Sequence, residues 1–180
     1  MRIVNMSMCV QVLQHYCSLP VNAESKSDVD TLFAKFKEQL STAYFDGENA
    51  LRPVEGAIDA IHALRDAGVL VGLQTGYATS LARQIAAHAK LTECIDGLVT
   101  AEDVGFGRHA PYMIFRQIKN WKIFSATHIA KVGDTPRDME EGRNAGCGLI
   151  IGVLSGAGTE DELVQSGAHI VVPDVAYITA

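Results

Sequence analysis

Five short apolar runs, Val69–Gln74, Gly97–Thr100, Ile129–Val132, Leu149–Leu154 and Ile170–Val172, recur along the chain with room for a helix between most neighbours. The intervening segments carry the helical signals. Val54–Ala67 places Ile58, Ile61 and Leu64 on one face before Gly68, and Ser80–Ala89, Pro111–Trp121, Arg137–Asn144 and Thr159–Gln165 complete the alternation. Strands that are apolar throughout, rather than alternating, are buried on both faces. The pattern therefore predicts an α/β protein with a mostly parallel sheet and helices on both sides. Before this region, Asp28–Phe45 has a helical period and Cys9–Tyr16 reads as a short helix ended before Pro20.

At 180 residues the chain can bury one core and carry a small appendage. Its net charge of −6, with no Lys/Arg cluster, argues against nucleic acid as a partner. No apolar run approaches membrane-spanning length and the start has no secretory leader, so no membrane partner is expected and the chain reads as cytoplasmic. Cys9, Cys17, Cys94 and Cys147 form no close pair and read as reduced thiols.

The candidate chemistry gathers at strand ends. Ile129–Val132 runs into Gly133-Asp134-Thr135-Pro136-Arg137-Asp138, which sets Asp134 just past a strand and Asp138 in the first turn of a helix. Two carboxylates there suit a hard cation such as Mg²⁺. An N-cap with an acidic first turn accounts for the same residues without chemistry. Thr75-Gly76 at the end of another strand offers a hydroxyl and free N–H groups to an anion. Arg108, after Gly107 and shortly before a helix starting at Pro111, has a fork suited to phosphate. A surface arginine and a turn threonine are the plain alternatives.

Taken together, these stretches resemble the haloacid dehalogenase superfamily, and within it the phosphonatase-like branch. Gln74-Thr75-Gly76-Tyr77 is similar to that family's second motif. Gly107-Arg108-His109-Ala110-Pro111-Tyr112-Met113-Ile114-Phe115 resembles its third, with arginine in place of the superfamily's usual lysine and His109 where the branch has proline. Lys131–Asp138 with Glu141–Gly146 is similar to its acidic fourth motif. The resemblance implies a Rossmann-like core, Mg²⁺ as cofactor, and a small phosphorylated or phosphonate substrate. It also implies that Thr75, Gly76 and Arg108 bind phosphate, that Asp134 and Asp138 serve the metal, and that Thr75, Arg108, Asp134 and Asp138 form the catalytic set.

One part of the family pattern has no match. The nucleophilic aspartate belongs at the end of the first strand, yet no Asp precedes Asp28. Either the first strand is absent and residues 1–50 are the remnant of a helical cap, or a rearranged N-terminus that fills the gap, on a core of residues 51–180; or Arg2–Ser7 is an altered first strand with Asn5 and Ser7 in place of the acids. The first explanation is preferred here, because Val12–Phe45 resembles cap sequence better than Met1–Ser7 resembles the strand. A sheet without its first strand exposes its neighbours, and forming a homo-oligomer is one way to cover them. Two functions follow as expectations: a phosphohydrolase by family with its covalent step impaired, or a non-catalytic phosphate- or metal-binding or interaction protein on the same scaffold. A nucleotide-binding module ranks below both, since neither a Gly-x-Gly-x-x-Gly nor a P-loop pattern occurs.

Overall fold

The computed structural model describes residues 3–7, 44–45 and 51–179. Within them a six-stranded, wholly parallel sheet runs in the order β3-β2-β1-β4-β5-β6. Its strands are β1 (Ile3–Ser7), β2 (Leu70–Thr75), β3 (Gly97–Thr100), β4 (Ile129–Gly133), β5 (Leu149–Val153) and β6 (Ile170–Val172). The helices are α1 (Ala57–Asp66), α2 (Thr79–His88), α3 (Ala101–Val104), α4 (Tyr112–Trp121), α5 (Pro136–Ala145) and α6 (Glu160–Gln165). The expected alternation is present, and the apolar runs coincide with strands to within a residue.

The expectation that the first strand is missing is corrected by β1. Ile3–Ser7 lies in the middle of the sheet, with Ile3 opposite Leu70 on one side and Ile129 on the other. The physical reason is the slot itself. A parallel sheet with a gap between β2 and β4 would leave two ladders of N–H and C=O groups unpaired, and Ile3–Ser7 satisfies both. Of the two explanations, only the second placed a strand in this stretch. Chain contacts group residues 1–9 with 53–180, and residues 10–52 form a second unit. The helix expected at Cys9–Tyr16 and most of the cap-like segment lie outside the described residues; Tyr44 and Phe45 are helical.

Strand alternation divides β4 between two cores. Ile129 packs with Ile114, Met139, Ala145, Cys147, Ile150 and Leu163. Ala130 and Val132 point the other way, with Ile151 and Val153, against Leu64, Val69 and Ile178. Lys131 thus shares the Ile129 face, beneath α4 and α5, and is fully buried there. A helix missed in the sequence, α3, is started by a capping box: the Thr100 hydroxyl accepts from the Asp103 N–H while the Asp103 carboxylate accepts from the Thr100 N–H.

Candidate active site

Helix α5 is where the sequence pattern becomes chemistry. Thr135 is its N-cap, its hydroxyl accepting from the Asp138 N–H at 3.3 Å, and Pro136 opens the first turn. The acidic first turn is therefore also an ordinary cap, as the plain reading had it. Yet Asp138 is fully buried, and so is Glu141 one turn further along the same face. Two cations meet them. Lys131 Nζ lies 2.6 Å from Glu141 Oε2 and 3.2 Å from Asp138 Oδ1. Arg108 Nε lies 2.9 Å from Asp138 Oδ1. The Arg108 N–H is not aimed along that contact, which leaves Nε and Oδ1 an ion pair without a formal hydrogen bond.

Two carboxylates thus balance two cations in a largely buried pocket, and a polar chain extends from them. Lys131 Nζ donates to Gln74 Oε1 at 3.4 Å, Gln74 Nε2 donates to Gln117 Oε1 at 3.2 Å, and Gln117 Nε2 donates to the Leu73 carbonyl. Arg108 also donates from Nη2 to the Gln74 carbonyl at 2.8 Å, which fixes the guanidinium at the end of β2 beside Thr75. Sequence reasoning singled out neither Lys131, Glu141, Gln74 nor Gln117 as site residues. A signal existed for the first two: a lysine inside an otherwise apolar strand buried on both faces, and a glutamate three residues after Asp138.

Burial pushes the Asp138 carboxyl up. The charge of Lys131, then that of Arg108, and a hydrogen bond from the Thr135 hydroxyl outweigh it and hold the group below its ordinary value of 3.8. The folded carboxyl therefore releases its proton more readily than the unfolded one. Its contribution to stability is complete above the unfolded value and disappears as pH falls through the lower folded value. Thermal unfolding followed by circular dichroism from pH 7 to pH 2 should show a melting temperature that drops below about pH 4, and Asp138→Asn should flatten that acid limb. An equally steep limb in the variant would assign the acid sensitivity to other groups. Burial likewise pushes the Cys147 thiol up to about 12, Lys131 drawing it down and Glu141 raising it, so this cysteine stays protonated.

The predicted residues divide by environment. Asp134 follows β4 and is buried; its Oδ2 accepts from the Ala157 N–H at 3.0 Å, while its Oδ1 has no hydrogen-bond partner among the described residues. An orphaned buried carboxylate oxygen fits a cation ligand, so Asp134 suits Mg²⁺. Asp138 fits that role poorly: Oδ2 accepts from the Thr135 hydroxyl at 2.6 Å, and Oδ1 faces Lys131 and Arg108. Among the described residues no group of three or more His, Cys, Asp or Glu side chains is arranged to hold a metal. Thr75 is buried at the end of β2, and its hydroxyl accepts from the Tyr77 N–H at 3.2 Å across Gly76. Strand alternation sends Gln74 toward Lys131 and Thr75 the other way, so Thr75 and Arg108 approach the β2 end from either side. His109 Nδ1 lies 2.8 Å from Arg137, tying the residue after Arg108 to the start of α5.

A parallel α/β core with polar and charged groups at its strand ends is shared by many families, and comparison with known proteins narrows the choice. The sequence profile of the haloacid dehalogenase-like hydrolases matches residues 14–146, and the chain belongs to that family. Within it the likeness is to the phosphonatase-like branch. The chain is 34% identical over 140 residues to phosphonoacetaldehyde hydrolase of Bacillus cereus (strain G9842), a match covering 76% of this chain and 52% of that protein. It spans about half the length of the curated relatives it matches. A haloacid dehalogenase-like hydrolase of Streptococcus pneumoniae superimposes with a TM-score of 0.73 at 13% identity, covering 98% of this chain and 96% of that one. A family hydrolase from Deinococcus radiodurans, solved with phosphate and sodium, superimposes with a TM-score of 0.69 at 20% identity, covering 92% and 69%. No described helix is long and apolar enough to cross a membrane.

Proposed function

We propose that the C-terminal edge of this sheet binds the phosphoryl or phosphonate group of a small metabolite together with Mg²⁺, as in a phosphohydrolase of the phosphonatase-like type. The observation that carries the reading is the contrast between two buried acids: neither Oδ1 has a formal hydrogen bond, but that of Asp138 faces the charges of Arg108 and Lys131, whereas no ion pair among the described residues reaches that of Asp134. In this reading Asp134 holds the ion, whose chemistry when bound is to neutralise charge on phosphoryl oxygens. Thr75 and the Gly76 turn offer donors to one side of the anion, and Arg108 supplies charge from the other. The Lys131–Glu141 pair and Gln74 keep Arg108 where Asp138 aims it. The phosphonoacetaldehyde hydrolases among the relatives make an aldehyde-bearing phosphonate a natural first substrate to try. Free thiols at Cys94 and Cys147 suit a reducing compartment such as the cytoplasm.

A second reading, binding without turnover, is favoured by one feature. The described end of β1 carries Asn5, Met6 and Ser7, where the family places its nucleophile. Both readings share the anion site, and calorimetry tests it. Phosphate binding in the presence of Mg²⁺ should weaken about 10- to 100-fold in Arg108→Lys, which keeps the charge opposite Asp138 but loses the fork, on the scale of one charged hydrogen bond. Unchanged phosphate affinity in a folded Arg108→Lys protein would remove Arg108 from the site.

A further inference from the structure

We propose that the loop Ser155-Gly156-Ala157-Gly158 is a positioning clamp for Asp134, which locks one carboxylate oxygen and turns the other, Oδ1, toward a hard divalent cation. The proposal rests on the assignment of Asp134 as the metal-holding group. Three contacts define the clamp. The Ala157 N–H donates to Asp134 Oδ2 at 3.0 Å, and the Gly158 N–H donates to the Asp134 carbonyl at 2.8 Å. The third is steric: a Cβ at Gly156 would overlap Cβ, Cγ and Oδ2 of Asp134.

Gly158 faces the same constraint from its own side, since a Cβ there would lie 2.6 Å from the Asp134 carbonyl oxygen and 3.1 Å from Leu163. At both glycines the demand is for space against Asp134, because neither has a left-handed φ. The exposed Ala157 between them contributes its N–H.

The chemistry follows from this geometry. A free carboxylate can rotate and offer a cation either oxygen or both. One whose Oδ2 accepts a charge-assisted hydrogen bond, and whose far side is filled by loop backbone, offers a single oxygen in a fixed direction. Mg²⁺ tolerates little departure from octahedral geometry, so a ligand fixed in this way saves ordering on binding. Gly156 and Gly158 are positioning residues, which act on the ion through Asp134.

The test counts free Mn²⁺ by its electron paramagnetic resonance signal during titration of the purified chain, its Asp134→Asn variant and its Gly156→Ala variant, each checked for folding by circular dichroism. Asp134→Asn should abolish binding, and Gly156→Ala should weaken it at least tenfold while the protein stays folded. Wild-type affinity in Asp134→Asn would overturn the metal reading itself. Loss in Asp134→Asn with wild-type affinity in folded Gly156→Ala would overturn the clamp alone. Should Gly156→Ala fail to fold, amide hydrogen exchange decides: the Ala157 amide should be protected in the wild-type chain and lose protection in Asp134→Ala, while Gly158 keeps its own. An Ala157 amide that exchanges freely in the wild-type chain would also overturn the clamp.

Discussion

Lys131→Met is expected to destabilise the fold by about 3–5 kcal/mol, the usual cost of removing one partner from a buried ion pair. For a chain of this size that corresponds to a fall in melting temperature of roughly 10 °C or more. Among the described residues Lys131 Nζ is the nearest cation to Glu141 Oε2, and Glu141 Oε1 has no hydrogen-bond partner to compensate. Removing the ammonium would leave Arg108 alone with two carboxylates, one of them 3.9 Å away. The companion result discriminates charge from packing. Lys131→Met combined with Glu141→Leu leaves Arg108 and Asp138 as a balanced pair and fills the pocket with apolar atoms, so it should recover most of the lost stability. Chemical denaturation of the single and double variants measures both. Equal loss in the double variant would show that the cost lies in shape, not in stranded charge.

The second large effect concerns turnover. The 180-residue chain with Mg²⁺ is expected to hydrolyse a generic aryl phosphate at a rate roughly a thousandfold or more below the ordinary enzymatic range of about 1–1000 per second. The groups proposed to bind and stabilise charge are present in Thr75, Arg108 and Asp134, and such groups give some acceleration on their own. What is lacking is an acceptor carboxylate on β1, and covalent catalysis divides one hard displacement into two easier ones only when a nucleophile exists. A steady-state assay on purified protein, with Asp134→Asn as the control, measures the outcome. Ordinary turnover that disappears in the control would show that a group other than a β1 aspartate takes the phosphoryl group, and would favour the enzymatic reading over binding alone.

Much of the sheet was legible because its strands are short, apolar and separated by helix-length segments; Gly97–Thr100 and Ile170–Val172 match residue for residue. Thr135, Pro136 and Gly146 marked both ends of α5 through local rules that need no tertiary context. β1 was less legible because Asn5 and Ser7 depart from the apolar pattern of a central strand. Its place is set by the vacancy between β2 and β4, a property of the whole sheet and not of five residues. The site shows the same division. Asp134, Asp138, Thr75 and Arg108 could be nominated from spacing and resemblance, but their division of labour could not. That depends on which buried carboxylate a buried lysine reaches, and Lys131 finds Asp138 and Glu141 only after β4 and α5 have packed.

The position of β1 has a consequence for synthesis on the ribosome. Ile3 pairs with Leu70 on one side and with Ile129 on the other, partners that emerge at very different times. When β2 and β3 have left the exit tunnel, β1 can pair on one side only, and its outer edge stays open until well over a hundred residues have been translated after it. At a synthesis rate of about 5–20 residues per second, that interval lasts several seconds at least. During it, a half-built sheet presents an unpaired parallel edge to any extended chain nearby. The arrival of β4 closes the gap and also delivers Lys131, whose carboxylate partners Asp138 and Glu141 follow at once on α5.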